Sequence, residues 1–285
     1  MNQTSGFENW ESAVAWLRQQ PDQRELVIGA YYDDPLYAAA HRYWQSAEWQ
    51  AVRTFLPSAS EARALDVGAG RGIASYALAK EGFAVTALEP DPSALVGAQA
   101  IRQLATDAGL AIEVTQEFSE RLPFADASFD LVFARAVLHH TSDLPEACRE
   151  FFRVLKPGGS LIAVREHVIS RDTDLPAFLD LHPLHKLYGG ENAFLLSTYT
   201  ATLREAGFRL GSVLAPLSSP INFAPQTTAT LQAEIARRLG RRVPGMTWLL
   251  IHTLRLSGLW ALLLPILERM DHRPGRLYSF IARKP

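Results

Sequence analysis

Cysteine is almost missing from this 285-residue chain. Cys148 stands alone, so no intramolecular disulfide can form, and a buried thiol in a reducing, cytoplasmic setting is the expectation. The first ten residues, MNQTSGFENW, lack a basic segment followed by an apolar run and do not read as a signal peptide. Neither sign of charge dominates: 28 Lys and Arg stand against 30 Asp and Glu. That balance excludes a whole-molecule field for nucleic acid while leaving room for a local basic patch. No internal repeat and no low-complexity tract is present. What is there is a 48% hydrophobic content, enough to bury the core of one large domain, alone or with a small appendage.

The apolar spacing divides the chain. Phe7, Trp10, Val14 and Leu17 fall on one helical face that stops at Pro21, and a second helical pattern runs from Leu36 through Tyr43 to Leu56. Strand-like and helix-like segments then alternate. Strands are expected at residues 64–67, 83–88, 112–114, 129–134 and 161–164. Helices are expected at 73–80, 93–108 and 144–155. Alternation of this kind means a parallel sheet with right-handed crossovers. A helix at 199–206 and two strands at 208–214 and 276–283 follow, the last two separated by about sixty residues, far more than a hairpin needs. The expected fold is therefore α/β. Residues 1–60 would form an N-terminal helical cap, 61–216 a Rossmann-like core, 217–275 a helical insertion and 276–285 the last core strand.

The most informative segment is Asp66-Val67-Gly68-Ala69-Gly70-Arg71-Gly72, between the first strand and the first core helix. Glycines there allow a tight turn and close approach of a ligand, although similar strings also occur as plain turns. A nicotinamide dinucleotide calls for G-x-G-x-x-G. Here the spacing is G-x-G-x-G, with Ile73 in the sixth position, which argues against an oxidoreductase. Asp66 argues the same way, since a carboxylate there suits a cation and repels a pyrophosphate. The second strand ends at Glu89-Pro90-Asp91, where Glu89 can accept both hydroxyls of an adenosine ribose or stand as a solvated loop acid.

Four pieces in order, LDVGAGRG, ALEPD, ERLPFADASFDLVFARAVLHH and REFFRVLKPGG, carry a family resemblance. Over residues 64–168 the chain resembles the class I S-adenosylmethionine (SAM)-dependent methyltransferases, in particular the ubiquinone and small-molecule subgroup. The resemblance implies SAM as cofactor. Gly68, Ala69, Gly70 and Gly72 would hold its methionine part, Glu89 the ribose, and the loop at Phe118-Ser119 the edge of the adenine. Many relatives carry Asp at the position of Phe118, so Glu117, backbone atoms or stacking by Phe118 would take over there. Asp66, Pro90 and Arg135 complete the expected cofactor set.

In an open parallel sheet, ligands lie over the carboxyl ends of the strands. The residues there are Arg135 to His140 after the fourth strand, then Arg165, Glu166 and His167 after the fifth. A hydroxyl acceptor benefits from a base that titrates near neutrality, which points to His139, His140 and His167, with Glu166 orienting a histidine or acting itself. The bland alternatives are local hydrogen bonds for the histidines and an Arg165–Glu166 ion pair. Arg165, His182, His185, Tyr188 and Tyr32 are the expected substrate contacts. No metal set is assigned, although His182 and His185 lie near Glu166, His167 and Glu191 in sequence, a combination that suits a metal. Tyr31, Tyr32, Tyr43 and Trp44 are read either as a lid over a cationic cofactor or as ordinary core.

The insertion carries Arg237, Arg238, Arg241 and Arg242, then an apolar run from Met246 to Leu267 interrupted by His252 and Arg255. It is too interrupted for a spanning helix. It reads as helices roofing the acceptor site, packed on the sheet or on a second copy of the chain, or laid on an anionic membrane or lipid-like substrate. The expected activity is methyl transfer to a hydroxyl of a small molecule, sugar or lipid-linked glycan. A non-catalytic SAM-binding or scaffold protein is the alternative. A nucleic-acid acceptor is disfavoured, because Ala134-Arg135-Ala136-Val137 stands where Asn/Asp-Pro-Pro-Tyr/Phe would be.

Overall fold

A computed structural model describes residue 7 and residues 9–240 and 246–285. The N-terminal cap consists of α1 (Trp10–Leu17), α2 (Arg24–Gly29), α3 (Leu36–Gln45) and α4 (Ala47–Arg53). Asn9 caps α1, accepting from the Ser12 N–H at 2.8 Å. The single apolar pattern from Leu36 to Leu56 is two helices, because Ser46 ends α3 in an extended conformation and caps α4 by accepting from the Trp49 N–H at 3.1 Å.

The core follows the alternation. β1 (Arg63–Val67), α5 (Ile73–Lys80), β2 (Ala84–Leu88), α6 (Ala98–Ala108), β3 (Ile112–Thr115), β4 (Phe129–Arg135), α7 (Leu144–Val154) and β5 (Leu155–Ile169) occur in turn. α6 starts five residues later than the spacing predicts. The Ser93 hydroxyl accepts from the Leu95 and Val96 N–H groups, and Gly97 lies so close to Asp91 that a Cβ would sit 2.2 Å from its carbonyl oxygen. After β5 come α8 (Leu175–Leu181), α9 (His185–Tyr188), the two-residue β6 (Phe194–Leu195), α10 (Leu196–Glu205) and β7 (Arg209–Leu214). The insertion forms α11 (Pro220–Phe223), α12 (Thr228–Gly240), α13 (Met246–Leu254) and α14 (Ser257–Met270), and β8 (Arg276–Arg283) closes the sheet.

The strand order is β3-β2-β1-β4-β5-β8-β7, with β6 paired to β5. The first five strands are parallel, and β8 runs antiparallel to both β5 and β7. Alternation along the strands fills two cores. Leu65, Val67 and Val132 face a layer with Phe151, Tyr199 and Phe280, whereas Ala64, Leu131 and Phe133 face Tyr43, Trp49 and Tyr76. Both faces of the sheet are thus covered, as a parallel sheet requires.

Two local departures shape the site. Ala136, just past β4, has φ 56°, and Arg165 within β5 has φ 62°. At Arg165 the β5–β8 register slips between Ala163 and Glu166, and the Arg165 N–H donates to the Ser279 hydroxyl at 3.1 Å. A bulge re-aims the side chains that follow it, here Glu166 and His167.

The insertion is helical, and its apolar helices are not swallowed by the sheet. Trp248, Leu249, Leu262 and Ile266 are exposed. Among the described residues no single helix is long and apolar enough to cross a membrane. Arg237 and Arg238 are exposed on α12, and Arg241 and Arg242 lie outside the described residues.

Candidate functional site: a glycine cradle beside a histidine–glutamate cluster

The turn after β1 puts Gly68, Gly70 and Gly72 at φ 58°, 54° and 81°. The three have different reasons for being glycine. A Cβ at Gly68 would meet Val137 at 2.8 Å, and one at Gly72 would meet Ile101 at 3.1 Å, so both serve packing. At Gly70 a Cβ would meet nothing closer than 4.0 Å. Its backbone faces open space, where a ligand can approach.

Glu89 closes the cradle. Its Oε2 accepts from the Gly70 N–H at 2.6 Å and its Oε1 from the Asp91 N–H at 2.9 Å. A carboxylate has roughly four acceptor positions, so capacity remains for the two hydroxyls of a ribose. Burial pushes Glu89 up to about 7. Asp66 also rises to about 7 on burial, and its carboxylate accepts from the Ser75 hydroxyl at 2.6 Å. It therefore acts from behind the loop. Phe118 is 63% exposed, and the neighbouring Ser119 hydroxyl donates to Glu120. These features fit SAM: an open cradle, a buried acceptor pair and an exposed aromatic edge.

Arg135 and Arg165 are both held by protein partners. Arg135 makes a two-point contact with Glu48, at 2.6 and 3.1 Å, between the Tyr31 and Tyr43 rings. Arg165 donates to the Ile221 and Ala224 carbonyls and lies 3.5 Å from Glu48, so its partner is not Glu166. Glu48 is buried, and the two arginines hold its carboxyl below the usual range despite the burial. Tyr31 and Tyr43 thus pack against a guanidinium in the core, and the Trp44 indole N–H donates to Glu81. Tyr32 and Tyr188 both pack on Trp10, the second contact docking α1 against α9.

The strand ends of β4 and β5 meet in a cluster of imidazoles. Glu166 is completely buried and accepts from the Val137 and His139 backbone N–H groups at 3.1 and 3.2 Å. With its oxygens acting as acceptors, His139 Nδ1 is the donor in their 2.6 Å contact. Carbonyl oxygens fix two more rings: His140 Nδ1 donates to Gly190 at 2.9 Å, and His167 Nδ1 donates to Gly275 at 2.8 Å. In each case the Nε2 lone pair is left free. His182 joins them, while His185, whose N–H donates to His182 Nδ1, stands behind it.

Glu191 is the hub. His139 Nε2 lies 3.6 Å from its carboxylate, and His140 Nε2 and His182 Nδ1 each lie 3.7 Å from it. Burial pushes Glu166 and Glu191 up to about 7, and pulls His167 to about 3, His182 to about 4 and His139 well below its ordinary value.

Sequence reasoning missed three contributors. Glu48 lies far from any motif. Arg71, within the glycine loop, binds the Tyr31 and Asp33 carbonyls at 2.9 Å and Asp34 at 2.5 Å, fastening the cap to the loop. Only the unusual arginine between two glycines hinted at it. Glu191 was visible merely as a neighbour of the second histidine pair.

Residues 65–163 match the family described as the methyltransferase domain. The chain is 34% identical over 141 residues to malonyl-[acyl-carrier protein] O-methyltransferase of Enterobacter lignolyticus, covering 50% of this chain and 53% of that protein. It is 32% identical over 171 residues to the uncharacterized methyltransferase YodH of Bacillus subtilis, covering 60% of this chain and 70% of that one. Thus the match spans about half the length of the first relative and more than two thirds of the second. Among solved structures, the [4+2]-cyclase SpnF superposes with a TM-score of 0.55 at 24% identity, covering 87% of this chain and 82% of that one, a likeness of fold.

Proposed function

The chain belongs to the class I SAM-dependent methyltransferases of the small-molecule type, and from that premise we propose that it transfers a methyl group to a hydroxyl oxygen of a small molecule, sugar or lipid-linked glycan. The observation that carries the oxygen assignment is the convergence of imidazole lone pairs beside the β4 and β5 strand ends. The relative from Enterobacter lignolyticus, itself named an O-methyltransferase, supports it.

Gly68, Ala69, Gly70 and Gly72 would hold the methionine end of SAM, Glu89 the ribose and Phe118 the adenine edge. When bound, SAM supplies an electrophilic methyl on sulfur. The chain must place an oxygen in line with that methyl and remove its proton. Positioning supplies most of the acceleration in such a transfer. His140 is suited to taking the proton, because it is the most exposed imidazole of the cluster, at 43% side-chain exposure. Its Nδ1–H is anchored on Gly190 and its Nε2 is free, so the acceptor O–H bond breaks toward Nε2. Glu191, 3.7 Å from that nitrogen, stabilises the imidazolium formed.

Incubation with methyl-labelled SAM and a panel of phenols, sugars and hydroxy acids, read by mass spectrometry and NMR, tests this. A labelled O-methyl product is the expected result. Transfer confined to nitrogen or carbon overturns the oxygen assignment, and SAM bound but never consumed favours a non-catalytic role.

A further inference from the structure

We propose that His139, His167 and Glu191 form a binding site for a divalent transition metal of the zinc or ferrous class. One ligand atom from each lies within 4.8 Å of the other two. The set is two imidazoles and one carboxylate, which suits borderline metals and leaves coordination positions open.

The surrounding contacts are those that a metal requires. A ligating histidine commonly donates its other ring N–H to a carboxylate or backbone carbonyl, fixing the tautomer. His139 does so to Glu166 at 2.6 Å, and His167 to the Gly275 carbonyl at 2.8 Å. Glu166 is in turn held by the Val137 and His139 N–H groups. The carboxylate side is unfinished: Glu191 Oε2 is buried without a hydrogen-bond partner, on a side chain only 8% exposed. Two imidazole nitrogens lie 3.6 and 3.7 Å from it, beyond hydrogen-bond reach. Lone pairs facing a carboxylate repel it unless a proton or a metal ion lies between, and a metal satisfies several of them at once. Two ligands at about 2.1 Å from one ion, at a tetrahedral angle, stand about 3.4 Å apart, close to the 3.6 Å between His139 Nε2 and Glu191.

His140 and His182 flank this set at 3.7 Å from Glu191, leaving His140 free to take a proton. The site itself stands without the methyl-transfer reading. Its consequence rests on that reading: an acceptor oxygen entering an open position would be polarised and made a better nucleophile.

The test uses the full chain stripped by a chelator. Calorimetry with ZnCl2 and with MgCl2 gives stoichiometry, Co2+ titration gives a visible d–d spectrum, and thermal melts report folding. Expected are one Zn2+ per chain, no comparable Mg2+ binding, a Co2+ spectrum and a Tm raised by Zn2+. Glu191→Gln, a near-isosteric change, should weaken Zn2+ at least ~10-fold and abolish the Tm rise, and Glu166→Gln should weaken it by ~10–100-fold through His139. His185→Ala should leave binding unchanged. No Zn2+ or Co2+ uptake by the wild-type chain, or equal uptake by folded Glu191→Gln, overturns the proposal. Metal binding without any methyl transfer would count against the proposed activity and not against this site.

Discussion

The two halves of the site are built in opposite ways. On the β1–β2 side, a single seven-residue loop does most of the work through backbone conformation, with one buried carboxylate, Glu89, bracing it. On the β4–β5 side the work falls to side chains from four separated places, His139 and His140, Glu166 and His167, His182, and Glu191, with the Gly190 and Gly275 carbonyls fixing two of the rings. A cofactor that never changes can be met by rigid backbone, whereas acceptors are distinguished by side chains, which can be exchanged without disturbing the turn. The cap joins the halves: Arg71 fastens it to the glycine loop, and Glu48 holds the arginines at the β4 and β5 ends.

That joint offers the largest effect. Glu48→Ala leaves two partly buried guanidinium groups without their shared carboxylate, and removing one partner of such a buried pair costs about 3–5 kcal/mol. Urea unfolding should show a loss of that order, with both SAM binding and turnover impaired. A loss below ~1 kcal/mol would mean that the halves stand independently.

Next is Gly70→Val, which places a branched side chain in the open cradle at φ 54°. It should weaken SAM and S-adenosylhomocysteine binding at least ~100-fold by calorimetry, since the added atoms occupy ligand space and strain the turn. His140→Ala should do the reverse, lowering kcat at least ~10-fold while leaving S-adenosylhomocysteine affinity intact. If both constants move together in both variants, the division between the halves fails.

The smallest effect is a pH slope. Burial raises Asp66 to about 7, so near that pH the carboxyl is partly protonated in the protein alone. A nearby sulfonium favours the ionised form, so SAM binding releases a proton below that value. Affinity for SAM should therefore climb as pH rises through about 7 and then level off. S-adenosylhomocysteine, which lacks the sulfonium charge, should show a shallower slope, the part that Glu89 contributes through the ribose, and Asp66→Asn should bring the SAM slope down to that one. Identical slopes for the two ligands by calorimetry would remove Asp66 from cofactor recognition.

The same contrast governs what the sequence reveals. Gly68, Gly70, Gly72 and Glu89 are readable because turn chemistry is local, and the strand–helix alternation that frames them is periodic. The fold was legible for that reason, down to the residue bounds of α5 and β8. The antiparallel placement of β8 was not, because strand direction depends on pairing between segments more than a hundred residues apart. His139, His140, Glu166 and His167 were candidates from their places at strand ends, yet their mutual geometry depends on the bulge at Arg165 and on carbonyls from Gly190 and Gly275, which no spacing rule connects. The shared partner of Arg135 and Arg165, Glu48, was not legible, because it sits in a helix of the cap far from either strand in sequence.

The most direct test of the two-part site is a crystal structure of the chain with S-adenosylhomocysteine bound. The account predicts the ligand's amino-acid end against Gly70, its ribose hydroxyls on Glu89, and the open side of its sulfur facing His140 and Glu191. A ligand whose sulfur turns away from the histidine–glutamate cluster, toward the insertion or toward bulk solvent, would contradict it.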